Sequence, residues 1–272
     1  MIINLSKEVI EMNIPGFTAK SVLGAEGRRT PTKFDIKRSK HMRAKLAGPL
    51  FLFLAAVAGS ADALDRTIDD FTTGPYRSPS YRTGVNNTAY ANPSSQNGAM
   101  LGGNRSTGMY VCAPGSCGLA QPTSYEFKRL TSTTGAFLFN AGFGAGPRID
   151  MAYGWGSTRM NVDFTPYDRI RVTFMGLSQP LNFNIQAFTG TTWAQNGCNV
   201  AELNRPFSID FPFSGFSVSV PASFNWASIN YMDFIFQSGS AIGSVDIGIS
   251  SIVLTNSTTV PTYPVLQECH LN

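Results

Sequence analysis

Leu181-Asn182-Phe183-Asn184-Ile185-Gln186-Ala187 alternates apolar and polar residues without a break. Successive side chains of a β-strand point to opposite faces. The stretch therefore reads as a strand with Leu181, Phe183, Ile185 and Ala187 in a core and three amides toward water. Ile170–Phe174 (IRVTF) and Phe207–Phe211 (FSIDF) repeat the pattern. Outward from these, apolar alternation predicts strands at Thr67–Phe71, Ala99–Gly102, Thr107–Cys112, Ser124–Leu130, Ala136–Asn140, Arg148–Trp155, Phe216–Val220, Tyr231–Gln237 and Val245–Leu254. The last alternates through Val245, Ile247 and Ile249, then slips phase at Ser250-Ser251, as a β-bulge would require. Turn chemistry separates the strands at Gly74-Pro75, Gly190, Asn196-Gly197, Ser214-Gly215 and Gly239. No window carries a helical period with caps. About a dozen short strands at this spacing predict an all-β chain: a two-sheet antiparallel β-sandwich or jelly roll. Gly74–Asn97 and Gly190–Pro206 read as loops, and the tail from about Thr255 as irregular, held by Cys269 if that thiol is bonded.

The sandwich accounts for residues 64–272 only. Met42-Arg43-Ala44-Lys45 is a short positive segment, Leu46–Gly59 is uncharged and apolar, and Ala61-Asp62-Ala63 has the small residues of a cleavage site. That order predicts a secretory signal peptide, helical in its apolar part, over residues 42–63. Its apolar run is too short for a membrane span of about 20 residues. An export signal works at an N-terminus, so residues 1–41 read as an upstream extension of the translated frame or a disordered leader. The expected product begins near Leu64 and is periplasmic or extracellular.

Setting the leader aside changes the electrostatics. Of 21 basic and 17 acidic residues, ten and five precede residue 64, leaving 11 and 12. The basic pI of 8.9 therefore belongs to the leader. One lysine, Lys128, and no basic run remain, which argues against nucleic acid as a partner. All four cysteines, Cys112, Cys117, Cys198 and Cys269, follow the cleavage site, and an even count in an exported chain predicts disulfides. Cys112 and Cys117 could close across the Pro114-Gly115 turn, leaving Cys198 and Cys269 to each other. Three connectivities are compatible with four thiols.

The candidates for chemistry are few. His270, in the tail, is the single histidine after residue 63, so a nucleophile activated by imidazole has no positioned base. There is no zinc-protease motif, phosphate loop or dinucleotide fingerprint. Carboxylates remain: Glu126, Asp150, Asp163, Asp168, Glu202 and Asp210 are available to a glycosidase, which needs two of them about 5–10 Å apart, but their spacing marks no pair. Asp69 or Asp70 on the first strand and Asp246 on the last could hold a structural Ca²⁺ with backbone carbonyls, or simply accept hydrogen bonds at strand ends. Arg105, after the Gly102-Gly103 pair, is expected to make a structural ion pair with an acid such as Asp70. Trp155 and Trp226 read as core. Trp193, Tyr76, Tyr81 and Tyr90 fall in expected loops, where aromatics either cover the core or stack on the apolar faces of sugar rings.

Four segments carry a resemblance: Ile68-Asp69-Asp70-Phe71, Gly102-Gly103-Asn104-Arg105, Phe211-Pro212-Phe213 and Val245-Asp246-Ile247-Gly248-Ile249. Over Thr67–Leu254 the chain resembles secreted bacterial β-sandwich proteins of galactose-binding-like, jelly-roll type, many of which carry a PEP-CTERM sorting tail. This sequence shows no such tail. The resemblance implies the fold, an exported address and a structural metal at the sheet edge, and it supplies no catalytic residues. The leading expectation is an exported, non-catalytic sandwich that binds a glycan or another cell-surface component. A structural or adhesive envelope protein without a small ligand comes second, and a carboxylate-dependent glycan hydrolase or lyase third.

Overall fold

The computed structural model describes residues 11–14, 17–20, 65–80, 91–110, 123–142, 146–154, 159–238 and 244–270. The expected signal peptide, Tyr81, Tyr90, Cys112, Cys117 and Trp155 lie outside them. Two leader strands, β1 (Glu11–Ile14) and β2 (Phe17–Lys20), pair only with each other. The other described strands form two sheets. The first contains β3 (Arg66–Asp69), β4 (Tyr76–Arg77), β7 (Thr123–Arg129), β8 (Gly135–Ala141), β10 (Arg169–Leu177), β13 (Phe207–Pro212), β16 (Val245–Thr255) and β17 (Val265–Glu268). Its order is β17-β13-β10-β16-β8-β7-β4, with β3 also paired to β16. The second contains β5 (Ala91–Asn97), β6 (Asn104–Tyr110), β9 (Arg148–Tyr153), β11 (Leu181–Thr189), β12 (Thr192–Val200), β14 (Ser217–Val218) and β15 (Tyr231–Ser238), in the order β14-β12-β11-β15-β9-β6-β5. All pairings are antiparallel except β13 with β17. The expected sandwich is the fold observed. Among the described residues no helix is long and apolar enough to cross a membrane.

The alternation does what it predicted. Along β11 Leu181, Phe183, Ile185 and Ala187 are buried and Asn182, Asn184, Gln186 and Phe188 are half-buried on the other side. The inward residues of both sheets meet in one aromatic core. Phe183 of one sheet lies 5.0 Å from Phe211 of the other, edge to face, and Phe137 lies 6.0 Å from Phe236 across the same gap. Each such ring contributes about 1.5–3 kcal/mol through burial alone. The bulge expected at Ser250-Ser251 is present: Thr173 faces Ser251 and Phe174 faces Ile249, so Ser250 has no opposite residue on β10.

Several expectations are corrected. Gly190–Pro206 is not a loop. It supplies β12, joined to β11 by the two-residue turn Gly190-Thr191, where Gly190 takes the positive φ of 59° that a tight hairpin needs. Asn196-Gly197 lies inside that strand, because Asn196 is buried and its Nδ2 donates to the Cys269 carbonyl at 2.6 Å. Ala99–Gly102 is not a strand; Leu101–Gly103 is a turn of 3₁₀ helix. Part of Gly74–Asn97 pairs as β4 and β5, and the tail contributes β17. Cys198 and Cys269 form a disulfide, which ties the tail to the second sheet.

Arg105 pairs with Asp69 rather than Asp70. Both side chains are fully buried, and the guanidinium lies 3.6 Å from the centroid of the Phe127 ring. Asp69 is saturated: Oδ1 accepts the Phe71 N–H at 2.7 Å, and Oδ2 accepts Arg105 at 2.5 Å and the Tyr153 hydroxyl at 2.8 Å. Asp70, just past the end of β3, accepts the Thr72 amide and hydroxyl instead.

Candidate functional site

The outward face of the seven-stranded sheet is unusual in what it carries. Antiparallel register stacks its side chains into rows that run across the strands. The first row is Asn199, Asn182, Gln237, Arg148 and Tyr110; the second is Gly197, Asn184, Ile235, Asp150 and Gly108. The third is Gln195, Gln186, Asp233, Ala152 and Ser106. The fourth sets Trp193, Phe188 and Tyr231 side by side on β12, β11 and β15. A solvated sheet face ordinarily carries Thr, Lys and Glu. Here six primary amides occupy the first three rows on β12, β11 and β15, an aromatic row closes one end, and Arg148 and Tyr110 continue the first row onto β9 and β6.

The amides form a connected layer. Asn182 Nδ2 donates to Asn199 Oδ1 at 3.2 Å, Asn184 donates to Asn182, and Gln186 Nε2 donates to Gln195 Oε1 at 3.4 Å. Glycine makes part of this possible. A Cβ at Gly197 would sit 2.0 Å from Asn184 Oδ1, so only glycine lets the Asn184 amide lie across β12. In the aromatic row the rings of Phe188 and Tyr231 are 5.0 Å apart. Trp193 is fixed through its backbone, whose N–H donates to Ser219 Oγ at 3.0 Å while its carbonyl accepts the same hydroxyl at 2.8 Å.

The charged groups gather beside the amides. Arg148 Nε donates to Asp150 Oδ1 at 2.6 Å, and its guanidinium stands 5.5 Å from the Tyr110 ring centroid. Asp150 faces Ile235 and Asp233 faces Ala152, so the two aspartates are diagonal neighbours on adjacent strands, about 7–8 Å apart at the backbone. Burial, and then the Asp150 carboxylate, push Asp233 up to about 7 against the pull of Arg148. Among the described residues Asp233 Oδ1 is buried without a close hydrogen bond, and the Tyr231 side chain and the Phe234 N–H oppose the rise. Burial also raises Asp150, opposed by its hydrogen bond from Arg148.

The residues singled out from sequence are distributed differently. Trp193 is on this face, on a strand rather than in a loop. Tyr76 belongs to the other sheet, where it packs on Tyr125 with centroids 5.7 Å apart and backs the core. Trp226 packs against the core as expected, 4.2 Å from Phe213. The proposed calcium ligands do not converge. Asp69 lies opposite Ile252 on β16, six positions from Asp246 and so about 20 Å away along the strand. Asp246 instead pairs with Asn140 of β8. Among the described residues no three His, Cys, Asp or Glu side chains are grouped to hold a metal.

Of the carboxylates considered for hydrolysis, Asp150 gains a neighbour, Asp233, that was not among them, while Asp168 and Asp210 meet Glu268 around Arg169, which donates to all three. Asp210 is buried and bidentate to Arg171 at 2.7 and 2.9 Å. Asp168 binds Arg169 and the Ser257 amide, and Asp163 caps Thr165. Glu126 sits on the other sheet opposite Leu138 and Arg77, and Glu202 is exposed. The signal for the face was present in the sequence as a run of Asn and Gln at the outward positions of consecutive strands.

No family model matches the sequence, and no curated protein matches it. Among solved structures, the chain is similar to a family 11 carbohydrate-binding module from Clostridium thermocellum in complex with a β-1,3-1,4-mixed-linked tetrasaccharide. Identity is 11%, the TM-score is 0.38, and the match covers 71% of this chain and 96% of that one. It is also similar to the agarase AgWH50C at 10% identity and a TM-score of 0.35, covering 72% of this chain and 25% of that one. At such identities and TM-scores these likenesses say nothing of ligand or site.

Proposed function

We propose that the outward face of the seven-stranded sheet is a glycan-binding platform and that the chain is an exported, non-catalytic binding protein. The observation that supports this reading is the register itself. It places Asn182, Asn184, Gln186, Gln195, Asn199 and Gln237 in one contiguous field beside the row Trp193–Phe188–Tyr231. A sugar hydroxyl both donates and accepts, and a primary amide offers both functions on one planar group. The axial C–H faces of a pyranose are apolar and pack on aromatic rings. A field of amides bordered by aromatics therefore matches both surfaces of a glycan. Adjacent strands are about 4.8 Å apart, so the face offers an extended track.

The test is a glycan array and affinity electrophoresis on the wild-type chain and on Trp193→Ala. Trp193 is half-buried and is not among the side chains packed on the core. Its loss should weaken binding about tenfold while leaving the melting temperature nearly unchanged. Equal binding by the variant and the wild type would remove the aromatic row from the site.

Export is supported by the order of charged, apolar and small residues over 42–63 and by the Cys198–Cys269 bridge, a bond that persists in oxidising compartments. Expression from Met42 should yield a product whose N-terminal sequence starts near Leu64. Recovery of an exported protein that still carries residues 1–41 would contradict this.

A further inference from the structure

The charge layout of the same face names a class of ligand, on the premise that the platform binds glycans at all. Among the described residues, the ionisable side chains in its rows are Arg148 and Asp150 on β9, Asp233 and Tyr231 on β15, and Tyr110 on β6. β11 and β12 contribute none, and the rows contain no lysine or histidine. Among the described residues the one cation in these rows, Arg148, is already bonded to Asp150 at 2.6 Å and stands over Tyr110. Asp233 lies diagonal to that pair, beside Gln186 on β11, at the border of the amide field. An anionic chain laid along the track would therefore meet a carboxylate where it needed a cation. Its own charges would have to leave water for a surface on which the described residues offer no uncommitted cation, and that desolvation opposes binding.

We propose that the platform takes uncharged polysaccharide and rejects chains bearing uronate or sulfate, with Asp233 as the residue that sets this preference. A neutral chain needs only donors and acceptors, which the six amides supply. The preference deepens with pH, because Asp233 titrates near neutrality. Below about pH 6 it is largely protonated and the Arg148–Asp150 pair leaves the face close to neutral. Above about pH 8 it adds a full negative charge. A unit charge about 7 Å from a ligand anion, in a setting between protein and water, changes affinity on the order of tenfold.

The experiment uses the full chain and four probes of similar length: a linear neutral glucan, a linear neutral galactan, an oligogalacturonate and a sulfated galactan. Binding is measured by calorimetry and by affinity electrophoresis at pH 6 and pH 8 in constant salt, for wild type and Asp233→Asn. At least one neutral probe should bind, and the anionic probes should bind more weakly. The neutral-to-anionic affinity ratio should grow on the order of tenfold between pH 6 and pH 8. In the isosteric Asp233→Asn variant the ratio should be smaller and independent of pH. Arg148→Gln should not selectively weaken the anionic probes. Anionic chains binding as tightly as neutral ones would overturn the proposal and leave the platform standing, and so would a ratio unmoved by pH in the wild type. Failure of every probe to bind to a folded chain would remove the platform itself.

Discussion

Asp233→Asn should make the protein more stable, and only above acidic pH. The aspartate has an ordinary value of 3.8 and a folded value of about 7, raised first by burial and then by Asp150. A raised folded value means that folding favours the protonated acid. The acid form therefore fits the fold below pH 4 at no cost, and stability is lost as pH rises from about 4 through 7. The difference of about 3 units corresponds to about 4 kcal/mol at full ionisation. Asp233 keeps some contact with water and interacts with Tyr231, so about 2 kcal/mol is the more realistic loss. Asparagine keeps the shape and never ionises. Urea denaturation at pH 4.5, 6 and 8 should show the variant within about 1 kcal/mol of wild type at the lowest pH and about 2 kcal/mol more stable at the highest. A difference that stays flat across this range, or an asparagine variant that is weaker at pH 8, would refute the assignment of Asp233 as a strained carboxylate. A residue that lowers stability on a binding face is what a trade between stability and function produces.

Arg105→Met should cost about 3–5 kcal/mol at neutral pH, because it strands the fully buried Asp69 carboxylate. Adding Asp69→Asn should recover part of that loss, and a double-mutant cycle in urea with a coupling energy near zero would show that the pair is not the interacting unit. Replacing Cys198 and Cys269 with serine opens a bridge spanning 71 positions, for which the loop-entropy relation gives about 4 kcal/mol. A denaturation midpoint unchanged by the double replacement, or by reductant, would show that the tail stays docked without it.

Much of the fold was legible, because its strands are buried on one face and exposed on the other. Leu181–Ala187 and Val245–Leu254 declared their inward residues by alternation alone, and the phase slip at Ser250 declared the bulge. What failed were strands whose inward positions are not apolar. β12 buries Asn196, whose amide is satisfied by a carbonyl from the distant tail, so its sequence looked like turn and loop. β17 is short and pairs in parallel with β13, a partner no local pattern reveals. The site was hidden for a related reason. Asn184, Gln186 and Gln195 looked merely solvated one strand at a time. Asp150 and Asp233 become neighbours only through the β9–β15 register, and a register is a property of two strands.

The tail has one further consequence, for how molecules of this chain behave toward each other. β12 is a nine-residue strand near the rim of its sheet, and β14 pairs with only Ala194 and Gln195 along it. Beyond those two residues its free rim is occupied by the tail. Asn196 bonds the Cys269 carbonyl, Gln267 Nε2 donates to the Asn199 carbonyl at 3.2 Å, and the disulfide holds both in place. Unpaired strand rims are templates on which a second chain can add its own strand. If the bridge were never made, as in a reducing cytoplasm, only the β13–β17 pairing and these side-chain bonds would hold the tail, and the rim from Asn196 to Val200 would be bared more readily. Such molecules would be expected to associate edge to edge and to accumulate as insoluble material, which makes recovery of soluble protein depend on the redox state in which the chain folds.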